Sequence, residues 1–285
     1  MSNDIVRGAL YLLLGEFFLA VMAAIIKHVS SDVPQETLVF IRNLFGLIAL
    51  TPIIARVGWQ QLKTQQLPLH LVRAITGLSA MYCYFYVIGH MPLAEAILVK
   101  LSVPFLLPIV AFLWLKERIS TITFWSIVIG FIGVVFVLRP GADNFQPVAL
   151  IGLAAAGLAS VAKVSIRRMS ASEPGHRIVF YFGVLATLIS AIPLLWGWQT
   201  PSNDMWIWLV LVGITGTVGQ LFMTQAYLIA KPGQVGPYTY SAVLYASLIG
   251  YFIWGEVLLW TTLVGTALII FAGLINMKRG SIREP

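Results

Sequence analysis

Charge is scarce in this chain: 10% of its 285 residues are Asp, Glu, Lys or Arg, while 59% are hydrophobic. Soluble globular proteins carry about a quarter charged residues, so a water-facing surface cannot be built here. The mean hydropathy of +0.89 points to an integral membrane protein. Cysteine is scarcer still. The single cysteine, Cys83, excludes an internal disulfide. No Cys or His spacing suits a metal, and His28, His70, His90 and His176 stand apart. No metal or other cofactor is therefore expected. Long polar stretches and low-complexity tracts are also missing, which leaves no room for a soluble domain. A net charge of +7 would hint at nucleic acid in a soluble protein. Here it reads as basic loops beside a membrane, and no nucleic-acid partner is expected.

What is present is a series of apolar runs. A helical span needs about 20 apolar residues. Runs of that kind fall at 8–26, 37–55, 71–89, 93–115, 121–138, 148–166, 178–198, 206–229, 236–254 and 259–277. Short connections hold turn formers such as Arg139-Pro140-Gly141, Glu173-Pro174-Gly175 and Lys231-Pro232-Gly233. The first run contains Glu16 and is followed by no convincing small-residue cleavage site. It therefore reads as a retained helix rather than a signal peptide. Of the 18 Lys and Arg residues, only Lys27 and Arg139 fall in the loops of one side, and Arg42, Lys100 and Lys163 fall inside spans. The others, Arg73 among them, mark the opposite side, so both termini are expected in the cytoplasm.

One stretch, Pro92 to Arg118, organises the rest. Lys100 lies inside an otherwise apolar run, with Pro104 and Pro108 following at four-residue steps on the same helix face. Pro104 cannot donate to the Lys100 carbonyl, nor Pro108 to that of Pro104. Free carbonyls beside an ammonium group suit a polar cavity and a hinge. A related stretch runs from Pro232 to Glu256. Further matches keep the same offset of 139 or 140 residues: Ile75-Thr76-Gly77 with Ile214-Thr215-Gly216, Val39-Phe40 with Val179-Phe180, and Lys27 to Ser30 with Arg167 to Ser170. Each unit holds five spans, an odd number, so the second must enter the membrane inverted. The expected fold is an all-α integral membrane protein of ten transmembrane helices, two inverted five-helix repeats at 1–140 and 141–285.

The chain resembles the EamA family of the drug/metabolite transporter superfamily in its ten spans, its five-plus-five repeat, the Pro92-Leu93-Ala94-Glu95-Ala96 start of span four and its Lys116-Glu117-Arg118 end. The resemblance covers essentially the whole chain. It implies a small-solute transporter, with export favoured over uptake, and it carries no substrate-binding residue across.

Ionisable groups inside spans cost about 2.5–3.5 kcal/mol each at mid-bilayer, so they are functional candidates. Glu16, near the centre of span one, reads as a proton-coupling or amine-binding group, or as half of a structural ion pair. Lys100 reads as a cavity lysine, or as one that snorkels outwards. Arg42, with Asn43 beside it, can clamp a carboxylate bidentately or hold Glu16. Lys163, close to the inner end of span six, reads as snorkelling. Tyr82 and Tyr86 share one face of span three, with Tyr84 on another. Tyr238, Ser241 and Tyr245 share a face of span nine, and Gln220 lies in span eight. These either line a pocket or tie helices together. Gly152, Ala156 and Ser160, and likewise Ala20 and Ala24, mark close helix packing. Gly265 and Gly273 suit either a homodimer or packing within one chain. Glu117 and Glu256 read as structural.

Lys100 and Arg42 against Glu16 leave a positive centre. The expected activity is secondary transport, by alternating access, of a small anionic or zwitterionic metabolite such as an amino acid. The expected location is the plasma membrane, a bacterial inner membrane, among membrane lipid. A lipid flippase, a cationic-drug exporter using Glu16 and a channel are the rivals. An intramembrane enzyme is disfavoured because no span offers a catalytic constellation.

Overall fold

The computed structural model describes residues 3–116, 119–138, 147–169, 172–229 and 236–280. Among them the secondary structure is helical throughout. The helices are α1 (Asn3–Val29), α2 (Gln35–Val57), α3 (Leu67–His90), α4 (Leu93–Lys100), α5 (Val103–Leu115), α6 (Thr121–Leu138), α7 (Val148–Met169), α8 (Gly175–Ala191), α9 (Leu194–Gly197), α10 (Met205–Ile229), α11 (Ser241–Trp254) and α12 (Trp260–Gly280). Ile5–Val29, Gln35–Arg56, Leu67–His90, Leu93–Leu115, Val148–Ile166 and Met205–Met223 are long and apolar enough to cross a membrane. Thr121–Val137, Gly175–Ala191 and Trp260–Ile275 are apolar but shorter. Apolar side chains also face outwards, with Leu195 83%, Phe252 78% and Trp260 76% exposed. Such a surface is stable only against lipid.

Three of the expected spans are not single helices. The 93–115 run breaks after Lys100 and restarts at Val103, so Pro104 occupies the first turn of α5. Leu101 N–H reaches the Ile97 carbonyl at 3.1 Å and Ser102 N–H that of Val99 at 3.0 Å, which closes α4 without help from position 104. Pro108 stays inside α5. The 178–198 run stops at Ala191, because Pro193 cannot continue a helix. The 236–254 run opens as a 3₁₀ turn over Gly236–Tyr240 and becomes α-helical only at Ser241. The turns Arg139-Pro140-Gly141 and Lys231-Pro232-Gly233, and Glu117 with Arg118, lie outside the described residues.

Helix packing is organised by small residues. α1 lies along α10, where a Cβ on Gly15 would stand 3.0 Å from Met223 N and 3.1 Å from the Gly219 carbonyl. α6 lies along α12, with a Cβ on Gly133 2.9 Å from the Gly265 carbonyl and the reverse contact at 2.5 Å. Both approaches are backbone to backbone, so any side chain there separates the helices. Gly265 is thus taken up inside the chain, as is Gly273, which faces the ring of Tyr240. α3 packs on α7, α2 on α8, α5 on α7 and α1 on α11. Gly152 of the small-residue stripe in α7 admits Val99 of α4, and Ser160 closes on the Ala156 carbonyl at 2.8 Å.

Candidate functional site

The break after α4 leaves Lys100 at the end of a helix whose seven other residues are buried. Lys100 itself is exposed, so it borders open space rather than packed core. Its ammonium stands 5.2 Å from the centroid of the Tyr84 ring, within cation–π range. Tyr84, not Tyr82 or Tyr86, is the α3 tyrosine that faces this lysine.

Glu16 projects from α1 into the same region and is only 3% exposed. The charges that reach it are those of Lys100 and Lys163, and its own charge reaches Tyr84. Lys163, expected at the interface, lies in the fields of Lys100, Glu16 and Arg73, and it too is exposed. Arg73, expected in a cytoplasmic loop, sits in α3, with its guanidinium 4.1 Å over the Phe182 ring. Gly77 makes the room: a Cβ there would collide with Arg73.

Arg73 lies in the field of Arg42. Arg42 donates from Nη1 to Asn43 Oδ1 at 3.2 Å, and its Nε would lie 3.9 Å from a Cβ on Gly216 of α10. Asn43 is 3% exposed. Its Nδ2 and the Arg73 Nε are buried donors without an acceptor. Among the described residues neither arginine has an ion-pair partner. Like charges repel more strongly where burial lowers the effective dielectric constant. Arg42, Arg73, Lys163 and Lys100 thus act on one another in turn, with Glu16 beside the two lysines.

The other candidates lie elsewhere. Tyr82 offers its carbonyl to the Gln35 amide, and its buried hydroxyl has no partner. Tyr86 stacks on His90, ring centroids 4.0 Å apart, at the end of α3. Tyr238 packs against Leu12 and Ala226. Ser241 opens α11 with a buried, unpartnered hydroxyl, and Gln220 is exposed on α10. Pro104, in the first turn of α5, and Pro108, one turn further on, both follow the break beside Lys100.

Two further clusters join distant segments. At one, Lys27 pairs with Glu256, and Glu256 also accepts the Leu93 N–H at 2.8 Å, at the start of α4. At the other, Glu173 accepts from Thr64 Oγ1 at 2.6 Å and from Arg177 Nη1 at 3.0 Å, with His70 Nε2 at 3.6 Å. Burial pushes the Glu173 carboxyl up, but these hydrogen bonds and the charges of Arg177 and His70 outweigh it, and it lies below its ordinary 4.5. Glu95, a third buried carboxylate, accepts from Thr262 Oγ1 at 3.1 Å and links α4 to α12. An acid inside the Pro92–Ala96 run was its sequence signal.

Apolar helices of membrane-crossing length around a charged interior make this a multi-pass membrane protein. A profile of the EamA-like transporter family matches residues 6–139 and, separately, 146–277. The chain is 32% identical over 286 residues to a pseudopaline exporter of Pseudomonas aeruginosa, covering 98% of this chain and 100% of that one. It is 24% identical over 271 residues to a riboflavin transporter of Vibrio cholerae, covering 93% and 91% of the two chains. An S-adenosylmethionine uptake transporter of Rickettsia conorii is 26% identical over 262 residues, covering 90% and 89%. A solved crystal structure shares the fold, with a TM-score of 0.67 at 20% identity and full coverage of both chains (100% each). The chain belongs to the EamA-like transporter family of the drug/metabolite transporter superfamily. It is a membrane transporter and not an enzyme.

Proposed function

We propose that the protein is a secondary transporter of a small anionic or zwitterionic metabolite, amino-acid-like in size, and that it works as an exporter in the plasma membrane. The observation that carries the substrate reading is the cluster of Arg42, Arg73, Lys100 and Lys163 with Glu16 as the one carboxylate among them. Arg42 and Lys100 hold the anionic or zwitterionic substrate, with Asn43 as a neutral donor. Glu16 takes the substrate's amine or a proton. Export follows the pseudopaline exporter relative, while an uptake transporter stands among the others.

Alternating access is the mechanism we propose, with ten spans acting as two inverted five-helix repeats, 1–140 and 141–285, and both termini in the cytoplasm. Two separate family matches support the division. So does helix pairing that exchanges between the halves, α1 with α10 against α7 with α3, and α1 with α11 against α7 with α5. The two halves rock about the breaks beside Lys100 and Ser241.

Uptake into reconstituted vesicles tests this reading. Lys100→Ala and Glu16→Gln should each abolish most transport of a carboxylate substrate. Normal transport by both variants would remove the site. Single-channel conductance would replace alternating access by a pore, and a requirement for an acyl chain would make the protein a flippase. Selective transport of cations, lost in Glu16→Gln, would favour the drug-exporter rival.

A further inference from the structure

The basic residues of the centre are not gathered around Glu16 alone. They form a row. Lys100 and Lys163 act on Glu16, Lys163 also meets the field of Arg73, and Arg73 meets that of Arg42. Only the lysine end has a carboxylate within reach. The arginine end has none among the described residues, yet it holds buried donors aimed at nothing: Asn43 Nδ2, on a side chain 3% exposed, and Arg73 Nε. The Arg73 guanidinium carbon already lies 4.1 Å from the Phe182 ring centroid, which anchors the group and leaves its unpartnered Nε for a planar acceptor. An ordinary α-amino acid has one carboxylate and one ammonium. It would answer Glu16 and one cationic end, and would leave the other end as an unpaired pair of like charges.

We infer that the transported molecule carries one amine and at least two carboxylates, the first held by Arg42, Arg73 and Asn43, the second by Lys100 and Lys163, with the amine at Glu16. Arg73 and Lys163 are then specificity residues that select a second acid group. This inference rests on the proposed carboxylate-binding site and narrows it. Each end offers two cations to one carboxylate, so the second acid removes a repulsion as well as adding an attraction. An amide of the same shape can accept a hydrogen bond but neutralises nothing.

Matched acid and amide pairs test this on the purified, full-length protein in detergent. The probes are aspartate, glutamate and 2-aminoadipate, each against its own ω-amide, titrated by calorimetry or ligand-induced thermal shift. At least one acid should bind about tenfold or more tightly than its amide, a gap of about 1.4 kcal/mol. Arg73→Gln and Lys163→Gln should each narrow that ratio to about threefold or less, with gel filtration confirming a folded protein. Equal binding of acids and amides by the wild type overturns the inference and leaves the single-carboxylate reading standing. A ratio unchanged in both variants removes Arg73 and Lys163 from the site. Binding of neither series overturns this inference and the carboxylate reading together.

Discussion

Lys27 and Glu256 form an ion pair across 229 residues of sequence, with side chains only 15% and 17% exposed. The same ammonium donates to the Met91 carbonyl at 2.7 Å and lies 5.3 Å from the Trp254 ring centroid. The pair thus ties the end of α1 and the start of α4 to the segment after α11. Arg168 likewise stands 5.5 Å from the Trp114 ring centroid. Glu256→Gln should lower stability by about 1–3 kcal/mol, because it leaves the ammonium partly buried and without its charge partner. Lys27→Met should cost a similar amount, and the double variant clearly less than the sum. Strict additivity in thermal unfolding would mean that the two side chains are not coupled.

Glu173 sets a pH dependence of known sign. Its folded-state carboxyl lies below its ordinary 4.5. Such a group adds stability that is fully present above the unfolded value and is lost as pH falls through the folded one. The wild type should therefore unfold at a higher temperature than Glu173→Gln at neutral pH. That difference should shrink steadily once the pH drops below about 4.5 and vanish when the wild-type carboxyl is protonated too. A gap that stays constant with pH would show that Thr64 and Arg177 hold the residue by shape and not by charge.

Much of this was legible in the sequence because the bilayer selects on composition. Apolar runs located the helices, and Pro104 marked a break, for a proline cannot complete the ladder; Pro193, which ends α8, lies inside a run that reads as one span. The intramembrane charges Glu16, Arg42 and Lys100 were visible by their rarity. Arg73 reads as a residue of the cytoplasmic side and Lys163 as snorkelling, because both stand about two turns from a helix end. At that depth, distance from the end does not separate a snorkelling side chain from one turned inwards. Only the packing of α3 on α7 decides it. Tyr84 was passed over for the same reason: helical periodicity shows which residues share a face, but not which neighbour that face meets. The partners Lys27 and Glu256, and His70 and Glu173, are joined by tertiary packing that no local pattern reports.

Lys116 and Gly255 close α5 and α11 in the same left-handed conformation, at φ of 60° and 66°. Glycine adopts it freely, whereas a side chain costs about 1–2 kcal/mol there. Lys116→Gly should therefore stabilise the protein, by about 0.5–1 kcal/mol after the entropy a glycine adds to the unfolded chain. Gly255→Ala should destabilise it by about 1 kcal/mol or more. Thermal melts of the two variants should move in opposite directions. Movement in the same direction would mean that one of the two caps is not left-handed in the membrane.

Pro104 separates stability from turnover. It lacks the N–H that would close on the Lys100 carbonyl, and the chain answers by ending α4 at Lys100 and starting α5 at Val103. Alanine at 104 can supply that hydrogen bond and continue one helix through the break, which a mid-span helix in lipid favours. Pro104→Ala should therefore leave the melting temperature unchanged or raise it, since a backbone group gains a partner. If the halves rock about this break, straightening it removes the hinge beside Lys100, and transport should slow several-fold. Ligand-induced thermal shift should persist, because Lys100 keeps its place at the same helix position. Loss of both binding and stability would mean that the break is needed to build the site. Full turnover with raised stability would show that the two halves move about some other joint, and would leave the left-handed caps at Lys116 and Gly255 as the next positions to stiffen.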